Sequence, residues 1–118
     1  MDNIYSLVYN TLIQLGYPVK EQGTYIDTST LPETYITYFI VDNPTSSAYD
    51  NMLASQEPRI QVNIYSKKPS IKQSGDNLFK SVMLPAGFTR LGGRDLPFNP
   101  DTGHYCYSCD YRYYLIED

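Results

Sequence analysis

The 118-residue chain predicts an α+β fold: a two-layer sandwich in which two helices cover one face of a mainly antiparallel sheet of about four strands, in the order αββαββ. Three observations carry that expectation. His104 to Ile116 alternates with a period of two, with Tyr105, Tyr107, Cys109, Tyr111, Tyr113 and Leu115 on one side and His104, Ser108, Asp110 and Arg112 on the other, as in a half-buried strand. Ile4, Leu7, Val8, Leu12 and Leu15 recur instead at three- and four-residue spacing, and Ile71, Leu78, Phe79, Val82 and Met83 also share one helical stripe. Around Ile36 and Val62 lie two shorter runs rich in β-branched and aromatic residues, which suit strands.

The first helix is expected from Asp2 or Asn3, either of which can cap it, to Leu15. Gly16 then supplies the left-handed residue that closes a helix, and Pro18 prevents its resumption. Val19 to Leu31 is mixed around Gly23, with room for a short edge strand. From Thr34 or Tyr35 to Val41 the run is almost unbroken in apolar and β-branched residues, so it reads as a central strand covered on both faces. Asp42-Asn43-Pro44 stops it by turn chemistry. Residues 45–58 are polar with isolated apolar points. The next strand alternates, with Ile60, Val62 and Ile64 on one face and Arg59, Gln61, Asn63 and Tyr65 on the other, and a hairpin with the preceding strand is the simplest pairing.

Ser70-Ile71-Lys72-Gln73, following Pro69, has the form of a capping box for the second helix. Gly75 weakens that helix, and Pro85 excludes its predecessor from helical geometry. Phe88 to Leu91 is a short strand, reached by a near-parallel crossover. Residues 92–103 hold three Gly, two Pro and two Asp, which reads as a loop, with Gly92-Gly93 a turn or hinge, leading into the long final strand. The odd face of that strand is expected to meet the helices, and the even face to meet water or a partner.

Length fits one domain over residues 1–118, with a single core. A net charge of -4 argues against sequence-independent nucleic-acid binding, which depends on cations that neutralise phosphates. No apolar run reaches the length of a membrane helix and no signal-peptide pattern opens the chain, so the protein is expected in the cytosol when made, with its two cysteines reduced.

Little in the chain points to catalysis, a cofactor or a metal. Cys106-Tyr107-Ser108-Cys109 matches C-x-x-C, but on a strand the two positions have opposite parity and lie about 10 Å apart, beyond the Cα separation a disulfide accepts. A zinc site would need two further ligands, and only His104 is near. That single histidine shares a strand face with Cys106 and has no evident third partner for a hydrolytic triad. No phosphate-loop pattern occurs. The acids fall on separate segments without a spacing that pairs two carboxylates.

What remains is a set of contact surfaces. Thirteen tyrosines and four phenylalanines, with no tryptophan, give a surface rich in a residue enriched at protein interfaces, though a tyrosine-rich strand surface in a monomer also fits. Tyr49, Met52 and Leu53 in the first long connection, and Arg94, Leu96 and Phe98 in the second, are candidate subunit or partner contacts. Asp110, Arg112 and Tyr114 on the even side of the last strand complete the set. The loop anchors also fit a role as extensions of the core.

The helix ending in Leu15-Gly16-Tyr17-Pro18-Val19, then Thr34-Tyr35-Ile36-Thr37-Tyr38-Phe39, Ile60-Gln61-Val62-Asn63-Ile64-Tyr65-Ser66-Lys67, Ala86-Gly87-Phe88 and a closing Gly103-His104-Tyr105 to Tyr111-Arg112-Tyr113 resemble, in order and spacing, the tail completion or tail terminator proteins of long-tailed bacteriophages and related prophages. The resemblance implies a virion protein assembled in the host cytoplasm as a ring, commonly a hexamer, on the head-proximal end of the tail tube. It implies contact with the tail tube protein and a head–tail connector protein, an end to tube polymerisation, and a lumen through which DNA passes without specific binding. An acidic chain fits that passage. A stopper, an adaptor or another minor virion protein is the alternative, and a small non-virion binding module the next.

Overall fold

Asn3 starts the first helix as expected: its side-chain oxygen accepts a hydrogen bond from the Ser6 N–H at 2.8 Å, satisfying one of the backbone donors that a helix start leaves unpaired. In the computed structural model, which describes residues 3–24, 31–42, 45–46 and 55–116, that helix is α1 (Ile4–Leu12), tightened into a 3-10 turn over Ile13–Leu15. Gly16 closes it with φ of +86°, a conformation that glycine enters without a Cβ clash.

Among the described residues the strands are β1 (Val19–Glu21), β2 (Thr34–Asp42), β3 (Thr45–Ser46), β4 (Ser55–Gln56), β5 (Arg59–Ser66), β6 (Thr89–Asn99), β7 (His104–Arg112) and β8 (Leu115–Ile116), with helices α2 (Pro69–Gln73) and α3 (Gly75–Met83) between β5 and β6. The principal sheet has the order β1-β2-β5-β7-β6, and a small antiparallel sheet joins β3, β4 and β8. The α+β class holds, with five strands in the principal sheet. β2 and β5 pair antiparallel, as the simplest reading required, and the short edge strand after the first helix is β1, parallel to β2.

β2 lies inside the sheet as expected, between β1 and β5, while the middle position belongs to β5. Three local expectations are overturned. The second helix is two helices that break at Ser74, and Ser70 is no cap, because Pro69 already occupies the first turn, where its missing N–H costs nothing. Ser66 serves that end instead, its hydroxyl oxygen accepting from the Lys68 N–H at 3.0 Å.

The supposed loop of residues 92–103 is mostly strand. β6 runs to Asn99 and pairs with β7 along its whole length, and only residues 100–103 turn. Its glycines and Pro97 are tolerated because β6 is an edge strand with two register shifts, at Arg90/Gly92 and Leu96/Asn99, where bulges excuse residues that a central strand rejects. Since β5 and β6 each run antiparallel to β7, they run parallel to each other, and the helical crossover between them spans β7.

The last correction concerns the even side of β7. His104, Cys106, Ser108 and Asp110 are buried despite facing away from the helices. β7 lies between β5 and β6, and its small side chains sink among the longer ones of those neighbours. The odd side behaves as expected: Tyr107, Cys109 and Tyr111 join Val8, Leu12, Ile36, Ile60, Val62, Ile64, Phe79 and Met83 in the core beneath the helices.

Tyr107 fixes how the helices sit on the sheet. Its ring stacks near Phe79 with centroids 6.3 Å apart, and its hydroxyl donates to Asp76 at 3.0 Å and accepts from Arg90 at 3.4 Å. Glycines flank it on two sides: a Cβ on Gly75 would lie 2.9 Å from the ring, and one on Gly93 would collide with the hydroxyl. Both glycines are therefore required by close approach.

Gly93→Ala is expected to push the Tyr107 hydroxyl off Asp76 and Arg90 and to destabilise the protein by about 1–3 kcal/mol, read as a lower urea midpoint at unchanged slope. Tyr111→Asp, at a fully buried position, is expected to leave no cooperative thermal transition, since it removes a core aromatic and buries a charge.

Candidate assembly surfaces

The sheet face opposite the helices carries a polar patch near its middle whose residues bind one another laterally. Alternation along each strand places Thr37, Asn63, Ser108 and Arg94 in one row across the sheet, with Gln61 and Asp110 in the next. Asn63 donates its side-chain amide to Thr37 at 3.2 Å, and Gln61 donates to Asn63 at 3.0 Å. On the other, helix-covered side of the same strands, Thr34 and Ser66 share a hydroxyl bond of 2.8 Å.

Asp110 sits at the centre of the cations on this face. Its carboxylate meets Arg59 at 2.8 Å and lies 4.0 Å from Arg94, which also donates to Gln61 at 3.5 Å. The Asp110 side chain is 9% exposed, whereas those of Arg59 and Arg94 are about half exposed, so the carboxylate is shielded beneath two guanidinium groups that remain accessible. Such an arrangement fixes side-chain directions at the surface while leaving hydrogen-bond donors available to a partner.

The other candidate contacts fall in different places. Leu96 is half-buried in β6 beside Cys106. Phe98 is 47% exposed and packs on Tyr105 with centroids 4.7 Å apart, a site bordered by the Lys72–Asp95 ion pair of 3.1 Å. Arg112 is exposed at the end of β7, and Tyr114, just beyond it, is 58% exposed. Tyr49, Met52 and Leu53 lie outside the described residues. The structure thus brings Arg94 and Asp110 together, sets Phe98 toward the other end of β6, and leaves Arg112 and Tyr114 near the chain's end.

Sequence reasoning missed further exposed apolar side chains: Tyr5, Tyr9 and Ile13 on the first helix and its following turn, and Leu91 in β6. The signal was present in part. Tyr5, Tyr9 and Ile13 recur every fourth residue, displaced from the buried stripe of Ile4, Val8 and Leu12, in a helix without a charged residue.

Groups with chemical reactivity are dispersed. Cys109 lies in the core under the helices, Cys106 is buried on the opposite face, and both are free thiols. Burial pushes the Cys106 thiol up to about 12 and raises that of Cys109 as well, so neither presents a thiolate near neutral pH. His104 is buried, with its Nε2 donating to the Pro32 carbonyl at 2.8 Å and its ring edge-on to Tyr35. Its depth inside the sheet, and not at a water-facing position, is a further consequence of the filled space beside β7. A cavity of about 340 Å³ opens beside the stacked Tyr35–Tyr65 pair and is lined by Gln22, Gly23, Thr37 and Asn99, none of which is an acid, a thiol or an imidazole. Among the described residues no three His, Cys, Asp or Glu side chains group as metal ligands, and no helix is long and apolar enough to cross a membrane.

On the helix side, Asp76 gathers Arg90 at 2.8 Å, Tyr107 at 3.0 Å and Lys80 at 3.3 Å, tying α3 to β6 and β7. Burial works to raise its pKa, but hydrogen bonds from Arg90, Tyr107 and Lys80 outweigh it and hold the carboxyl below its ordinary 3.8. A folded pKa below the unfolded value gives stability that is present above about pH 4 and is lost as pH falls through the lower, folded value. Acid titration of the urea midpoint is expected to show that loss, and Asp76→Asn is expected to flatten the curve below pH 4. Arg112→Glu, at an exposed strand end, is expected to leave the thermal midpoint within a few degrees of the parent, because surface changes of this kind stay within about 0.5 kcal/mol.

No family model matches the sequence, and no curated protein matches it either. The fold is shared with known structures. A chain in the virion of a native gene transfer agent particle superposes with a TM-score of 0.68 at 13% sequence identity, over 97% of this chain and 95% of that one. The likeness at that identity is one of fold.

Proposed function

We propose that the protein is a structural component of a phage-type virion that caps the head-proximal end of the tail tube as a ring, ends tube polymerisation and offers the surface on which head and tail join. The observation that carries this reading is the near end-to-end fold likeness to a gene transfer agent virion chain, which leaves no large insertion on either side to hold a separate activity. The ordered resemblance to tail completion proteins supports the finer placement.

The surfaces support it as well. Exposed tyrosines, phenylalanine and arginines, with thiols and the histidine buried, suit a molecule that works through contacts. An overall charge of -4 suits a wall past which DNA moves without being held. The partners of this reading are further copies of the chain, the tail tube protein and a head–tail connector protein. A stopper or adaptor position at the same junction is the alternative, and the experiment below separates the two.

Electron microscopy of particles made without the protein tests the proposal. Overlong tails are expected. Tails of normal length left unjoined to filled heads would move the protein to a connector position, and fully normal particles would overturn the virion role.

A further inference from the structure

The open face of the sheet holds a cavity whose walls come from both of its edges. Gln22 and Gly23 follow β1, Tyr35 and Thr37 lie in β2, Tyr65 lies in β5, and Asn99 ends β6 at the far edge. The space is about 340 Å³, at the small end of the range of about 300–1,000 Å³ in which small-molecule sites fall. Tyr35 and Tyr65 are register partners on an antiparallel pair, and their rings stack with centroids 4.7 Å apart and planes 10° from parallel. His104 meets Tyr35 edge-on at 5.2 Å and is itself pinned to the Pro32 carbonyl, so the aromatic wall is fixed before anything binds.

Two carboxamides share the cavity with that wall. Asn99 Oδ1 accepts from the Asp101 N–H at 3.0 Å, which commits its acceptor to the turn and leaves its amide N–H donors without a partner among the described residues. The Gln22 carboxamide has no partner among them either, so it offers two donors and an acceptor. Thr37, held by a hydrogen bond from Asn63 at 3.2 Å, adds a hydroxyl.

This lining selects by chemistry. No charged residue lines the cavity among the described residues. An anion would lose its hydration there and find no countercharge, which excludes nucleotides and other phosphates. A quaternary ammonium needs ring faces turned on it from several sides, whereas these two rings cover one another. A wholly apolar ligand would leave the carboxamides and the Thr37 hydroxyl dehydrated without partners. What fits is a neutral ligand with a C–H face for the aromatic wall, whose ring faces carry partial negative charge, and a rim of hydroxyls that donate and accept. A pyranose ring has that construction. A nucleobase also has a flat face, but it arrives with a phosphate for which the cavity has no cation.

We propose that this cavity binds one neutral pyranose unit, stacked on the Tyr35–Tyr65 pair and hydrogen-bonded by Gln22 and Asn99. The site holds its sugar without cleaving it, since the lining has none of the carboxyl groups that glycoside hydrolysis requires. The inference stands on the cavity and is independent of the ring reading of the preceding subsection.

Amide NMR spectra of the full-length chain test it, with glucose, galactose, N-acetylglucosamine, uridine and inorganic phosphate each titrated to about 50 mM, so that millimolar affinity is reached. At least one of the sugars is expected to shift the amide signals of Gln22, Gly23, Thr37 and Asn99 saturably. Gln22→Ala removes one carboxamide at an exposed position, and Asn99→Asp keeps the acceptor that holds the turn while removing both donors. Each is expected to weaken binding about fivefold or more, with the remaining signals in place. Gln22→Ala, away from that turn, carries the comparison should Asn99→Asp disturb the fold. The methyl glycoside of the sugar that binds separates two sources: retained binding assigns a unit carried on a glycan, and lost binding assigns the free sugar.

The proposal is overturned if none of the sugars gives saturable shifts, if the shifts fall away from the cavity, or if a folded variant binds as tightly as the wild type. A response to uridine alone would make this a base site, and a response to phosphate alone would make it an anion site. Either result discards the sugar reading.

Discussion

Tyr107 is the point through which the two layers of the molecule are held in register. A side chain on the second-from-edge strand reaches past Gly75, lies near Phe79 and ends in a pair of hydrogen bonds to Asp76 and Arg90. These partners come from two elements: Phe79 and Asp76 from α3, Arg90 from β6. Apolar packing alone would let the helices slide over the sheet, because it has no direction. The hydroxyl between a carboxylate and a guanidinium adds direction, and the two missing Cβ atoms make the space for it. The placement of α3, and through it the crossover that brings β6 to the edge, depends on that set of contacts.

The two faces of the sheet use different physics. Under the helices, Ile60, Val62, Ile64, Cys109 and Tyr111 are fully buried and contribute by exclusion of water. On the open face the residues one step along the same strands, Gln61, Asn63 and Asp110, are tied to neighbours by hydrogen bonds and ion pairs. A face of this kind is ordered without being adhesive, which leaves the apolar side chains at the two edges as the distinct features of the surface.

Periodicity made most of the architecture legible. The helical spacing of Ile4, Val8 and Leu12, the cap at Asn3, the stop at Gly16 and the alternation of β5 and β7 all follow from local chemistry, and all hold. Local chemistry failed where pairing decides the outcome. Gly92, Gly93 and Pro97 favour a loop when each is read alone; the open ladder of β7 draws them into a strand and accommodates them as bulges. Ser70 looks like a cap until Pro69 is placed in the first turn ahead of it. Burial on the even side of β7 was likewise invisible, because it depends on which strands flank it. Among the candidate contacts, the exposure of Phe98, Arg112 and Tyr114 was legible as side-chain type in an irregular or polar setting, whereas the ion pairs of Asp110 needed its partners on β5 and β6.

The placement of the cysteines has a consequence for where the fold can persist. Cys106 and Cys109 are buried on opposite sides of one strand, so they cannot reach each other, and neither is open to a thiol on another molecule. With both held in the protonated form, exchange with external disulfides is slow as well. The domain therefore keeps one covalent structure whether its surroundings reduce or oxidise.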